Sequence, residues 1–240
     1  MEVPSTKVQN NFGTYLKYAQ HEDVFITRNG RKVAVIKACH EDYYGDPVVL
    51  EAGEAYKPKN ASMTYEEFIE FSENSDKRYE FIDGEIYLLT SPSYGHQRII
   101  AEIFNYMYQW FKRKKCKPLT APFDVTLTKF DLKNVVQPDV VIICDPEKVD
   151  EKGRYHGTPT LVIEVLSKST MRKDLSTKAN LYLNSGVKEF WIVNPFNRNV
   201  LVYLNGKHET DAYVTYKENE AVKSAVFPGL ELPLEQIFTE

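Results

Sequence analysis

The sequence predicts an α/β fold in which helices pack on a largely buried sheet, and three observations point there. The segments Val135–Ile143 and Pro159–Ser167 are near-continuous runs of Val, Ile and Leu, the pattern of strands covered on both faces. Between Tyr94 and Lys115, the residues Ile99, Ile100, Ile103, Phe104, Met107 and Phe111 recur as one apolar helical stripe. From there to Leu204 strand-like and helix-like segments are mixed, which argues against an all-β barrel.

The elements follow in order. Ser5 or Thr6 can cap a first helix, and Val8, Phe12, Tyr15, Leu16 and Ala19 fall at helical spacing, with Gly13 dividing the stretch into two short helices. Val24-Phe25-Ile26-Thr27 and Lys32-Val33-Ala34-Val35-Ile36 flank Arg28-Asn29-Gly30-Arg31. Asn-Gly between β-prone runs predicts a hairpin, because both residues tolerate positive φ. A unit of about forty residues buries too little to stand alone, so a homodimer through this part is expected. Residues 41–61 hold Gly45, Asp46-Pro47, Gly53 and Pro58 and more acids than bases, the composition of an exposed linker. Thr64-Tyr65-Glu66-Glu67 is a capping box that opens a short helix through Phe68 and Phe71. Asp83-Gly84 predicts a second hairpin, with Tyr79, Phe81, Ile86 and Leu88 on one face and Glu80 and Tyr87 on the other. The long helix, Tyr94–Lys115 with His96 on its stripe, precedes strands near Phe123–Thr128, Val135–Cys144 and Thr160–Leu166. A helix around Met171–Asn184 and strands at Phe190–Val193 and Val200–Leu204 follow.

Composition bounds the function. With 240 residues, 42% apolar and 27% charged, the chain can form one large domain or two unequal ones with an ample core. A net charge of −4 argues against indiscriminate nucleic-acid binding by the whole surface, while leaving room for local basic patches. Cys39, Cys116 and Cys144 are odd in number and widely spaced, which predicts reduced thiols in a cytoplasmic protein rather than a disulfide frame or zinc site. No signal pattern opens the chain and no apolar run spans a bilayer, so no membrane partner is expected. A phosphate-cradling Gly-rich loop and a Gly-x-Ser-x-Gly elbow are absent from the sequence.

Asp139 and Glu164 each interrupt a strand that otherwise reads as core. A carboxylate there is costly to desolvate unless something positive compensates it. Two of them, on strands that could lie side by side, point to a divalent cation held by oxygen ligands, Mg²⁺ or Mn²⁺. On the following helix Leu175, Ala179 and Tyr182 form a buried stripe and Lys178 points the same way. Its ammonium either reaches the carboxylate pair, to stabilise a phosphate or position a water, or snorkels to the surface. Lys112-Arg113-Lys114-Lys115 either guides a nucleic-acid backbone or is a solvated helix end.

Two resemblances extend this reading. Ser5-Thr6-Lys7, the Asn11-Phe12 to Tyr15-Leu16 segment and the run Val24 to Ile36 resemble the N-terminal domain of Phd/YefM-type antitoxins. That implies a small α+β dimerisation domain, residues 1–40, that grips DNA; Lys7, Arg28 and Arg31 are the candidate contacts, or else solvated surface charges. Within an expected domain of residues 62–240, about 62–236 resemble the PD-(D/E)XK nuclease superfamily and, more closely, the Uma-type restriction endonucleases. The resemblance rests on Met63 to Phe68, Tyr79 to Ile86, Ser91-Pro92 with His96, Gln137-Pro138-Asp139, Leu161 to Ser167, Asp174 to Lys178 with Tyr182, and Gly186 to Pro195. It implies a mixed sheet flanked by helices and a metal-dependent DNA endonuclease in which Asp139 and Glu164 bind the metal. Leu166 stands where the superfamily pattern has a lysine, and Lys178 would return an amine to that point. Glu80 matches a glutamate that supports the metal, or it plays a cross-strand role at the surface beside Tyr87. His96 matches a family histidine, either catalytic or buried and structural. The alternative is a dimeric, antitoxin-like DNA-binding regulator whose nuclease-like domain is inert. In a third reading the first domain directs or restrains the second.

Overall fold

A computed structural model of the chain describes residues 1–38, 63–167, 174–206 and 213–238. The expected linker, 41–61, lies outside the described residues. The chain divides into two compact units, Met1–Thr90 and Ser91–Glu240, and each is taken by itself.

The first unit opens with strand β1 (Glu2–Pro4), which the sequence reading did not foresee, followed by helices α1 (Ser5–Asn10) and α2 (Phe12–Ala19). The break between the helices falls at Asn11, whose backbone is non-helical at φ −138° and ψ 40°, and not at Gly13. Strands β2 (Val24–Arg28) and β3 (Arg31–Ile36) form the expected hairpin. Asn29 and Gly30 both take positive φ at its turn, as a two-residue loop requires. β1 lies parallel to β2, so the sheet runs β1-β2-β3. The helical stripe is only partly buried: Val8, Tyr15, Tyr18 and Ala19 are inside, whereas Phe12 and Leu16 are exposed, as are Val33 and Val35 on β3.

Helix α3 (Tyr65–Glu73) starts with the anticipated capping box, the Thr64 hydroxyl accepting from the Glu67 amide while Glu67 accepts from the Thr64 amide. Tyr18 packs on it, ring to ring with Phe71 at 5.1 Å, and Lys17 pairs with Glu67 at 2.9 Å. Residues on either side of the undescribed stretch therefore share one core. Strands β4 (Tyr79–Ile82) and β5 (Glu85–Leu88) make the second hairpin, with Glu80 opposite Tyr87 and Phe81 opposite Ile86.

In the second unit, helix α4 (Tyr94–Phe111) ends four residues earlier than the sequence reading placed it. Strands β6 (Lys117–Thr120), β7 (Val125–Lys129), β8 (Leu132–Val136), β9 (Val140–Ile143) and β10 (Leu161–Val165) follow. The segment expected as one strand from Val135 is two: Gln137-Pro138 separates β8 from β9, since proline has no N–H to offer a ladder. A π-helical turn, Asp174–Lys178, leads into helix α5 (Ala179–Asn184). Strands β11 (Glu189–Asn194), β12 (Asn199–Leu204) and β13 (Tyr213–Lys217) complete a six-stranded sheet in the order β13-β12-β11-β10-β9-β6. It is mixed: β10 and β11 are parallel, and the other pairs are antiparallel.

Alternation along the central strands sorts the two faces. Val140 and Ile142 of β9 and Leu161, Ile163 and Val165 of β10 join Ile99, Ile103, Met107 and Phe111 of α4 in one core. Val141, Val162, Glu164 and Phe190 face the other way, where Tyr182 of α5 packs at a tilt against Phe190 with ring centroids 5.0 Å apart. Glu189, which the sequence reading passed over, is fully buried and accepts from the Trp191 indole at 2.5 Å, the Ser224 hydroxyl at 2.9 Å and the Ala225 and Val226 amides at 3.0 Å each. It ties the C-terminal segment to the sheet.

One expectation is overturned here. Cys116 and Cys144 form a disulfide, where reduced thiols were anticipated. Because Lys117 pairs with Ile143 across β6 and β9, the next positions, Cys116 and Cys144, stand opposite each other with Cα atoms 4.0 Å apart. The 28-residue separation hid that adjacency. The thiol-based ground for a cytoplasmic setting therefore falls away. Among the described residues no helix is long and apolar enough to cross a membrane.

Candidate active site

The β9/β10 register pairs Ile163 with Val140 and Val162 with Val141. One step further along the same ladder sets Glu164 across from Asp139, which immediately precedes β9. The two carboxylates singled out in the sequence thus meet at one end of the antiparallel pair, on strands whose other residues are core.

They are held differently. Asp139, its side chain 18% exposed, accepts a 2.8 Å hydrogen bond from the Val165 amide through Oδ2. Glu164 is only 2% exposed. Its Oε1 accepts from the Lys178 ammonium at 2.9 Å and from the Tyr182 hydroxyl at 2.6 Å. Lys178 is itself 5% exposed, so it reaches inward and does not snorkel. Paired burial of this kind resolves the desolvation problem that made Glu164 conspicuous. The π-helical turn ending at Lys178 is a local widening of the helix of the sort often found at functional sites. Lys178 and Tyr182, four residues apart, then lie one above the other on the same helical face.

His96 enters from the other side. It is the third residue of α4, where its amide is capped by the Ser93 hydroxyl at 3.3 Å. Its Nε2 lies 2.8 Å from the Val165 carbonyl and 3.4 Å from Asp139 Oδ2. A carbonyl can only accept, so Nε2 carries the proton. Burial alone would lower the imidazole pKa, but the Asp139 carboxylate, the Val165 carbonyl and Glu164 outweigh it, and the net shift is upward. His96 is thus both the buried histidine the sequence allowed and a direct neighbour of the acid. Its stripe position showed the burial, while its partners depend on how the α4 N-terminus meets the sheet.

Glu80 belongs to the first unit, opposite Tyr87, and is fully buried, so a cross-strand role at the surface is corrected. Lys7, Arg28 and Arg31 are exposed in the first unit. Arg28 and Arg31 are register partners that face each other across the Asn29-Gly30 turn.

The donor set suits a hard divalent cation. Asp139 and Glu164 carboxylates with the Val165 carbonyl are oxygen donors of the type Mg²⁺ or Mn²⁺ takes. Among the described residues no cluster of three or more His, Cys, Asp or Glu could hold an ion. Mg²⁺ is commonly bound by only one or two carboxylates, keeping several waters, so the residues fit that cation in kind and number.

Comparison with known proteins agrees in class. The family described as "Uma2: Putative restriction endonuclease" matches residues 65–235. The uncharacterized protein slr1290 of Synechocystis sp. (strain ATCC 27184 / PCC 6803 / Kazusa) is 28% identical over 152 residues, 63% of this chain and 73% of that protein. A second protein from that strain, sll1609, is 24% identical over 136 residues, 56% and 76% of the two chains. Among solved structures, that of a putative nuclease belonging to DUF820 from Anabaena variabilis ATCC 29413 superposes with a TM-score of 0.61 at 20% identity, covering 73% of this chain and 97% of that one. At that identity the likeness speaks for the fold.

Proposed function

This chain belongs to the Uma2 family, and on that premise we propose that it is a metal-dependent DNA endonuclease that hydrolyses phosphodiester bonds, joined to an antitoxin-like segment that binds DNA. The observation that carries the reading is the buried Lys178–Glu164 contact, 2.9 Å, on the face that Asp139 shares. It joins two acids and an ammonium at the end of a core ladder, a costly arrangement for a purely structural role.

In this reading Asp139, Glu164 and the Val165 carbonyl hold Mg²⁺ or Mn²⁺, which when bound supplies an acidified water and neutralises charge on the scissile phosphate. Lys178 keeps a positive charge beside the reacting phosphate and orients the attacking water, taking the part that Leu166 cannot. Tyr182 donates to the same Glu164 oxygen as Lys178 and fixes the carboxylate with it. His96, through its proton on Nε2, holds both Asp139 and the Val165 carbonyl in place.

The first forty residues, which share a core with α3, are assigned dimerisation and DNA contact. Arg28 and Arg31 stand directly opposite each other, a like-charge pair that costs stability unless an anion sits between them; a DNA phosphate supplies one, with Lys7 adding charge. Phe12, Leu16, Val33 and Val35 are the exposed apolar residues a second copy would cover. These two features also favour the second reading, a dimeric regulator with an inert nuclease-like part.

The test is cleavage of plasmid and single-stranded DNA with Mg²⁺ or Mn²⁺, against EDTA and an Asp139→Ala/Glu164→Ala variant. The nuclease reading expects cleavage that both controls abolish. Cleavage that persists in the variant ends it, whereas folded, DNA-binding but uncleaving protein favours the regulator.

A further inference from the structure

Among the described residues, three hairpins are closed by two-residue loops with positive φ at both positions. Two use the residues that conformation favours, Asn29-Gly30 and Asp83-Gly84. The third, between β7 and β8, uses Phe130 at φ 48° and Asp131 at φ 64°. A bulky side chain in the left-handed region is an outlier, and strained backbone of this kind collects at functional positions. The strain is not offset by packing, because Phe130 is 73% exposed and its neighbour Leu132 61% exposed. Lys129 and Lys133 flank them, with the Lys129 ammonium 6.0 Å from the centre of the Phe130 ring. The inner part of the hairpin is buried, from Val125 to Leu127 and from Asn134 to Val136. The tip alone reaches solvent, carrying an aromatic ring between cations.

The hairpin is anchored beside the candidate site. Asp124, before β7, accepts from the Gln137 side-chain amide at 2.8 Å, after β8, and Gln137 is two residues from Asp139. Counted along extended chain at about 3.4 Å per residue, Asp131 lies at most roughly 27 Å from Asp139. That is the length of about eight base steps of duplex at about 3.4 Å each.

We propose that the β7–β8 hairpin tip is a nucleic-acid contact in which Phe130 stacks on a base or wedges a base step while Lys129 and Lys133 meet the flanking phosphates. It rests on the nuclease reading above and adds to it where the substrate runs beyond the reacting phosphate. Aromatic rings serve this purpose because every base offers a π-face, and lysines beside them fit the backbone's charge.

The full chain carrying Asp139→Ala, expected to bind without cutting, is titrated by fluorescence anisotropy with a labelled duplex and a labelled single strand, each about 30 nucleotides long and so well past the hairpin's reach. Adding Phe130→Ala is expected to raise Kd at least about five-fold on one of the two substrates, the scale of one lost base stack. Phe130→Trp should retain the affinity, and its indole fluorescence should be quenched by DNA. Phe130→Gly should raise the thermal midpoint by relieving the positive-φ strain, yet weaken binding as the alanine does; a merely structural phenylalanine would not separate those two readouts. Replacing Lys129 and Lys133 by Gln should flatten the dependence of log Kd on log salt. Phe130→Ala affinity within about two-fold of the parent on both substrates would overturn the proposal. So would an altered oligomeric state with unchanged DNA affinity, which would assign the tip to a second copy of the chain. If the parent binds no DNA at all, the nuclease reading itself falls, an outcome distinct from binding that ignores Phe130.

Discussion

Replacing Lys178 by Met removes the ammonium from a buried pair while keeping a side chain of similar length and apolar stem. Glu164, 2% exposed, would retain the Tyr182 hydroxyl but lose the cation 2.9 Å away. Removing one partner of a buried ion pair costs about 3–5 kcal/mol, because the remaining charge stays desolvated. Glu164→Gln should cost a similar amount by stranding the ammonium. The double variant buries no net charge, and Tyr182 can still donate to the amide carbonyl that the second substitution introduces, so it should return to within about 1 kcal/mol of the parent. The cycle then yields a coupling of about 5 kcal/mol or more. Urea unfolding followed by tryptophan fluorescence measures this in the second unit alone, since Trp110 and Trp191, the two tryptophans of the chain, both lie there. At about 2–4 °C per kcal/mol, each single variant should lose roughly 6–20 °C in Tm. A loss below about 1 kcal/mol for Lys178→Met, the scale of an exposed pair, would refute the argument. So would a double variant whose cost equals the sum of the singles.

Glu189→Ala removes an acceptor from four buried or half-buried donors; at about 1–3 kcal/mol per orphaned group, the C-terminal segment should detach and become sensitive to limited proteolysis. Protection equal to the parent would contradict the tie. Separating Cys116 from Cys144 by reduction should raise the titratable thiols from one to three and lower stability by about 3.5 kcal/mol for a 28-residue loop, read by urea unfolding with and without reductant. His21 has its pKa lowered from 6.5 by burial. Because the unfolded state then takes the proton first, the His21 contribution to stability is intact above pH 6.5 and is lost as pH falls toward the lower folded value. NMR titration should find His21 below 6.5 and His96 above it, and His21→Gln should reduce the acid-side loss seen in thermal melts. A His21 value above 6.5 would contradict its burial, and a His96 value below 6.5 would contradict its contact with Asp139.

The sequence carried the local facts of this protein. Asn29-Gly30 and Asp83-Gly84 announced their hairpins and Thr64 to Glu67 its capping box, because turn and cap chemistry act over four residues. Asp139 and Glu164 stood out because a carboxylate in an apolar run violates the pattern of a buried strand, and Lys178 because the helical period placed it inward. Other features were decided by contacts between segments distant in sequence, and only the tertiary structure contains them. The register of β9 against β10 sets Asp139 across from Glu164 and gives it the Val165 amide. The register of β6 against β9 makes partners of Cys116 and Cys144, which composition alone had read as free thiols. The meeting of α4 with the strand ends turns His96 from a residue on an apolar stripe into a neighbour of the acid. Exposure of Phe12 and Leu16 on a helix whose period predicted burial has the same origin. Periodicity says which face of an element is apolar, but what covers that face depends on which distant segment packs there, and at what register.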